Sequence, residues 1–333
     1  MEQEIFTREH ALVEAIKTWA DTSFIGDDCA VLPGNQLATT DTLVEGTHFL
    51  LGKISWRDLG WKAVAVNLSD VAAMAGRPRY LLVSATLTPR ISKAEFQELY
   101  LGMVDCAKTY GAQIVGGDLT RGESLVLSVT VLADVHEVGC LLRSGAQAGD
   151  AVVVTGDFGA SRAGLWLIQE EGENISFEQP IIESAHGSHC LRAHFRPLPR
   201  LCESWSLVRR AGSRAALMDA SDGLADALAQ IARKSRVGMQ IDLERLPIHN
   251  ETRVVAQKAE IDPLDWALYG GEDYELVGCM ADASFQGWSR DNPFIKIGTV
   301  TDGGSIELKR TLPSGACEIN DIDLRRCFEQ ISL

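Results

Sequence analysis

Aspartates recur along this chain in places that offer a carboxylate no obvious partner. Asp41 lies in Gln36-Leu-Ala-Thr-Thr-Asp-Thr-Leu-Val-Glu-Gly-Thr-His48, with no Lys or Arg between Gly34 and Gly52. Asp27, Asp28, Asp70, Asp118, Asp219 and Asp222 occupy similar short apolar or glycine-rich stretches. A carboxylate removed from water is costly unless it is paired, hydrogen-bonded or bound to a cation. Acids of this kind, drawn from separate elements, suit hard divalent cations, which in turn hold phosphates. The chain has no G-x-x-x-x-G-K-[ST] loop that would supply a lysine instead. Bare carboxylates would repel a phosphate, by roughly 4 kcal/mol per pair of unit charges ~4 Å apart at an effective dielectric near ~20. The chemistry expected is phosphoryl handling through Mg²⁺.

The composition fits that expectation. The 333 residues allow two domains with substantial cores, and 46% apolar with 23% charged residues is ordinary for a soluble globular protein. A net charge of −15 argues against nucleic-acid or anionic-membrane partners. Eight cysteines contain no C-x-x-C pair, the amino terminus has no apolar signal core, and no uncharged run approaches the ~18 to 20 residues of a membrane span. A reducing cytoplasm with free thiols is expected.

The elements that must position the acids follow from periodicity. Residues 7–20 read as an amphipathic helix, and Phe24 to Pro33 as a turn feeding a short strand. Gln36 to His48 is a strand running into a loop at Gly46, with Asp41 expected near its end. Ser55 to Gly76 is a helix apolar almost all round, hence buried, with Asn67 and Asp70 on one face. A strand over 79–87, a helix over 92–110 capped by Ser92, a strand from Gln113 expected to end at Asp118, and a strand over 125–134 complete an α/β half. The composition changes near residue 138, so domains are placed at 1–137 and 138–333. In the second half, Ala151 to Thr155 is a strand, and the glycine-rich loop Gly156-Asp-Phe-Gly-Ala-Ser-Arg-Ala-Gly164 is a weak phosphate-loop candidate. Leu217 to Leu224 is a strand-to-helix corner, and residues 297–333 are weakly patterned. Several features keep a structural alternative: a polar turn for Asp27 and Asp28, a buried hydrogen-bonded pair for Asn67 and Asp70, helix capping for Ser221 or Asp222, and a turn for Gly270-Gly-Glu-Asp.

Seven segments, in order, resemble the thiamine-monophosphate kinase family: Ile25-Gly-Asp-Asp-Cys-Ala-Val-Leu, Thr39-Thr-Asp-Thr-Leu-Val-Glu-Gly-Thr-His-Phe49, Asn67-Leu-Ser-Asp-Val-Ala-Ala-Met-Ala-Gly76, Gly116-Gly-Asp-Leu-Thr-Arg-Gly122, Leu142-Arg-Ser-Gly-Ala, Asp219-Ala-Ser-Asp-Gly-Leu224 and Gly270-Gly-Glu-Asp-Tyr-Glu-Leu276. Each alone is ordinary; the ordered set is specific. The resemblance implies a two-domain α/β (α+β) fold of the aminoimidazole-ribotide-synthetase-like (PurM-like) superfamily and a homodimer through the N-terminal domains. It implies transfer of the ATP γ-phosphoryl group to thiamine monophosphate, giving thiamine diphosphate. It assigns Asp27, Thr39, Thr40, Asp41, Asp70, Asp118, Asp219 and Asp222 to magnesium. Gly117, Asp118, Arg143 and Ser221 go to ATP, and His48 and Glu272 to the thiamine substrate, with a solvated loop histidine the alternative for His48.

The acceptor phosphate is already ionised near neutral pH, so no base or nucleophile is assigned and direct in-line transfer is expected. The cationic thiazolium is expected to find Glu272 and the negative field of the protein. The tail departs from the family: Asp323-Leu-Arg-Arg-Cys-Phe328 has arginines where aromatics are expected and cysteine where histidine would fall. A sister ATP-using enzyme of the superfamily, or a non-catalytic Mg-nucleotide-binding protein, are the competing readings.

Overall fold

The computed structural model describes residues 8–172, 175–181, 188–288, 292–311 and 316–327. In the first half, α1 (Arg8–Trp19) precedes β1 (Ala30–Leu32), β2 (Gln36–Val44), α2 (Trp56–Ala73), β3 (Arg77–Leu87), α3 (Lys93–Thr109), β4 (Gln113–Arg121) and β5 (Val126–Asp134). Local chemistry sets the helix starts. The Ser55 hydroxyl accepts the Asp58 N–H at α2, and Ser92 with Glu95 forms a capping box at α3.

The strands form a five-stranded sheet in the order β1-β2-β5-β3-β4, in which only β3 and β4 run parallel. The alternation of helix and strand therefore yields a mostly antiparallel sheet, the α+β form of the expected class. Two acids expected at strand ends sit inside strands instead. β5 pairs β2 from Gln36 to Val44, so the ladder carries β2 past Asp41. β4 follows β3 to Arg121 and so passes Asp118.

The second half contains β6 (Ala151–Val154), α4 (Ala160–Glu171), α5 (His189–Phe195), α6 (Leu201–Ala211), β7 (Ala216–Asp219), α7 (Leu224–Ser235), β8 (Gly238–Asp242), α8 (Asn250–Lys258), α9 (Pro263–Tyr269), β9 (Leu276–Met280), α10 (Asp282–Gln286), β10 (Ile295–Thr301), β11 (Ile306–Thr311) and β12 (Cys317–Asp321). Its sheet has the order β12-β11-β8-β10-β6-β9-β7. The weakly patterned region after Ile297 thus supplies strands of this sheet, whereas Phe328 lies outside the described residues. No helix among the described residues is long and apolar enough to cross a membrane.

α2 is buried along most of its length, as its unbroken apolar pattern requires, and packs on elements of both halves. It crosses α3 at two glycines. A Cβ at Gly60 would meet Leu99 O at 1.9 Å, and one at Gly102 would meet Arg57 O at 2.0 Å. Either Gly60→Ala or Gly102→Ala forces these backbones apart, an overpacking cost of about 1–3 kcal/mol. Calorimetry should show a melting temperature several degrees below wild type. Gly304→Ala, with nothing within 4 Å of the added atom, should melt unchanged. A wild-type melting temperature for Gly102→Ala would contradict this packing.

Candidate active site

Three carboxylates, Asp28 from the loop before β1, Asp70 from α2 and Asp219 from the end of β7, bring oxygens within 4.8 Å of one another. The cluster joins the two halves of the chain. Its members are fixed by short hydroxyl donors: Thr39 Oγ1 donates to Asp70 at 2.5 Å, and Ser69 Oγ donates to Asp219 at 2.5 Å. Asn67, three residues before Asp70 on the same helix, accepts the Asp41 N–H at 2.8 Å and so ties β2 to α2. Its amide donates to Ala63 O, so Asn67 bonds backbone on both sides, while the hydrogen bond to Asp70 comes from Thr39.

Arg143 supplies the cation that the local sequence lacks. Its Nη2 lies 2.9 Å from Asp28 Oδ1, and its backbone N–H donates to Asp27 Oδ1 at 2.8 Å. Burial, then Asp28 and Asp41, push the Asp219 carboxyl up to about 8, with the Ser69 hydroxyl and Arg143 opposing the rise. Burial, followed by Asp41, Asp219 and Asp28, holds Asp70 well above the usual carboxylate range against the Thr39 hydrogen bond. Three or four acids sharing so little space retain protons unless a cation compensates them. The donor set is all oxygen, which suits a hard divalent ion.

A cleft of about 500 Å³ opens over the cluster, lined by Asp27, Thr39, Asp41, Arg143, Ser221 and Asp222 among others. Thr40 also lines it, but its hydroxyl points to the other face of the sheet, where it donates to Val129 O and receives Thr130 Oγ1. Ser221 and Asp222 are not the cap of α7: the N-cap position is Gly223, with no side-chain cap bond. His48 lines this cleft and two adjoining cavities, one of about 530 Å³ and one of about 140 Å³, both reaching Glu272. Its Nδ1 accepts the Val44 N–H at 3.0 Å, which fixes the ring beside the end of β2.

Gly117 and Asp118 are not brought to this cleft within one chain. In register, Asp41 aligns with Val129, Val83 and then Gly117, so β4 lies three strands across from β2, about 14 Å at ~4.8 Å per strand. Asp118 pairs with Ser84 and stands on the exposed face, opposite to that of Asp41. The glycines before it answer a backbone need. A bulge interrupts the register between Leu81 and Leu82, and a Cβ on Gly117 would meet Val83 O at 1.8 Å.

The sequence names Asp28 among the unpartnered acids, although the family resemblance does not assign it to magnesium; Lys62 and His194 it does not single out at all. Lys62 Nζ, on buried α2, lies 3.0 Å from Glu272 Oε1, and His194 Nδ1 lies 3.5 Å from Oε2. A single lysine inside an apolar helix was the available signal, since such a group requires a counter-charge. The glycine-rich loop before α4 has its own anion. Asp273 accepts the Gly159 and Ser161 N–H groups at 2.8 and 3.2 Å, in the place a phosphate would take. In the tail, Arg326 stacks over Tyr269, 4.4 Å from the ring centre, pairs with Asp265 and lines the cavity shared with Glu272.

The chain matches the family of AIR synthase related proteins, its N-terminal domain over residues 26–135 and its C-terminal domain over 147–310. Fold and cleft thus define an AIR synthase related protein of PurM-like fold. Thiamine-monophosphate kinase of Bacillus subtilis is 37% identical over 288 residues, 84% of this chain and 85% of that one. Its counterpart from Aquifex aeolicus is 34% identical over 317 residues, 92% and 96% of the two chains. The solved structure of AaThiL complexed with AMPPCP and TMP superposes with a TM-score of 0.81 at 31% identity, covering 92% of this chain and 95% of that one. The chain belongs to the thiamine-monophosphate kinase family.

The raised carboxyls give the metal-free protein a definite pH response. Asp219 and Asp273, both near pH 8, keep protons in the folded state that the unfolded chain loses near pH ~4. Stability from such groups is full below the unfolded value and is lost as pH rises through the folded one. His194, pushed down to about 3, acts in the opposite sense only below its unfolded value near ~6.5. In chelator, the melting temperature should therefore fall between pH ~6.5 and ~8, and Asp219→Asn should flatten that fall. An equal slope in the variant would remove Asp219 as its source.

Proposed function

We infer that this enzyme transfers the γ-phosphoryl group of ATP to thiamine monophosphate, forming thiamine diphosphate by direct in-line displacement. The observation that carries this is the continuous cleft: a three-carboxylate cluster built from both halves at one end, and the His48 and Glu272 cavities at the other. A relative of the same fold is complexed with AMPPCP, an ATP analogue, and TMP, which supports both ligands.

The residues divide the work by place. Asp27, Asp41, Asp70, Asp219 and Asp222, joined by Asp28 and the Thr39 hydroxyl, would hold Mg²⁺. The ion supplies the positive charge that lets an acidic cleft accept two phosphate groups. Arg143 and Ser221 face the nucleotide, Arg143 held by Asp28 rather than free to swing. His48 and Glu272 border the acceptor. No side chain need remove a proton, because a phosphate monoester is ionised near pH ~7. Thr40 enters only through its backbone, since its hydroxyl is spent across the strand.

We further propose a homodimer through the first half, divided from the second near residues 137 and 138. The face of the first sheet away from α2 is open, with Tyr80 and Leu82 50% and 40% exposed. Val115, 53% exposed, lies at the bulge of β4, which among the described residues pairs only with β3, while Leu119, 59% exposed, is in register with Ala85 on the other face of this edge. A second copy on this face would cover Tyr80 and Leu82 and carry the partner subunit's Asp118 and the backbone at the partner subunit's Gly117 toward the cleft, where this chain's own copies do not reach. The eight free cysteines are in keeping with a cytoplasmic setting.

Phosphorus NMR with Mg-ATP should show diphosphate formed from thiamine monophosphate and negligible product from thiamine, whose alcohol would need a base. Comparable product from thiamine would overturn the mechanism. For the shared site, Asp41→Asn and Asp118→Asn should each be inactive alone. Co-expressed with different tags, the mixed dimer keeps one intact site, so a random mixture should recover roughly a quarter of wild-type activity. No recovery in isolated mixed dimers would place Asp118 outside the partner's cleft.

A further inference from the structure

Lys62 is 1% exposed, the largest fully buried side chain among the described residues, and it lines the cavity of about 140 Å³ that ends at Glu272. The ion pair with Glu272 is at contact distance, yet Nζ lacks the alignment of a hydrogen bond. A buried ammonium with unspent donors is expensive, and Lys62 sits on a helix packed from both sides. Glu272 is equally constrained. Its backbone has φ 57°, a left-handed value unusual for glutamate, and its N–H donates to Ser221 O at 2.6 Å.

The charges at this end cancel. Burial pushes the Glu272 carboxyl up, but Lys62 and then His194 outweigh it and leave the group below the ordinary carboxylate value. Burial and Lys62 keep His194 neutral, with its Nδ1 3.1 Å from the Ser161 hydroxyl. A neutralised carboxylate has little attraction for a distant cation, while its remaining lone pairs still accept hydrogen bonds. Phe49, Ile54, Ile168 and Phe195 wall the cavity and suit a flat ring.

Resting on the kinase reading above, we propose that Lys62 is a positioning residue that fixes Glu272 as acceptor for a neutral, donor-bearing ring edge. This end of the cleft then selects the aminopyrimidine of the acceptor, and the thiazolium charge contributes little. The assignment replaces the expectation that Glu272 captures the cation.

The test begins with the wild-type enzyme and three acceptors: thiamine monophosphate, its uncharged thiophene analogue (deazathiamine monophosphate), and the analogue with oxygen in place of the amino group (oxythiamine monophosphate). The uncharged analogue should show a KM within a few-fold of the parent, and the oxygen analogue one about tenfold or more higher. Loss of the uncharged analogue with retention of the oxygen analogue would overturn the proposal. Lys62→Met should raise KM for thiamine monophosphate about tenfold while KM for ATP stays within about twofold, and Lys62→Arg should recover part of it. Equal effects on both KM values would reduce Lys62 to a structural role and also overturn the proposal. If Lys62→Met does not fold, Lys62→Met/Glu272→Gln removes both charges together and should lose discrimination against the oxygen analogue. A wild-type enzyme that phosphorylates none of the three would defeat the kinase reading instead.

Discussion

Like charge held in a confined space is the constraint around which this molecule is built. If all were ionised, Asp28, Asp70 and Asp219 would repel one another at close range, and burial holds Asp70 and Asp219 toward the protonated form. The surrounding residues read as measures that make such a cluster tolerable: hydroxyls of Thr39 and Ser69 at 2.5 Å, and the Arg143 guanidinium on Asp28. None of these removes the repulsion. The free protein therefore holds protons on these acids that a cation must displace, which couples metal and polyphosphate binding to proton release.

The second end of the cleft solves the opposite problem. There a half-buried carboxylate meets a buried ammonium and a buried neutral imidazole, with no net charge among the three. One element serves both ends. α2 places Lys62 near its start and Asn67, Ser69 and Asp70 near its finish, so the separation between acceptor ring and phosphates is set by the rise of one helix. Residues 272 to 275 divide similarly by alternation. Glu272 and Tyr274 face the catalytic side, while Asp273 and Glu275 line a separate cavity of about 430 Å³ behind it.

Much of this was legible in the residues. Of the acids without local basic partners, Asp28, Asp70 and Asp219 lie together while Asp118 does not, and the helices over 56–73 and 93–109 began at the expected serines. What was not legible depends on pairing between distant strands. Nothing local to Gly116-Gly-Asp118 says that β4 lies at the edge of the sheet with its acid on the outer face, because strand order is set by the whole sheet. The same segment's glycines looked like a ligand-approach device and proved to be spaced for Val83. Arg143 is far in sequence from Asp28, so the pair that stabilises the cluster appears only in three dimensions. Asp273 was hidden in the same way, filling a loop that resembled a phosphate site.

The burial of α2 bears on how the chain becomes a folded object at all. Its apolar surface is shared: Leu59 and Leu68 belong to the same core as Leu201, Leu207 and Leu217 from the second half. Trp61 Nε1 donates to Pro197 O and Trp205 Nε1 to Gly76 O, each across the boundary. A fragment cut near residue 137 would expose a helix with no polar side to turn to solvent. The two halves are separate sheets but a single cooperative unit, and the catalytic cleft forms only as that unit closes.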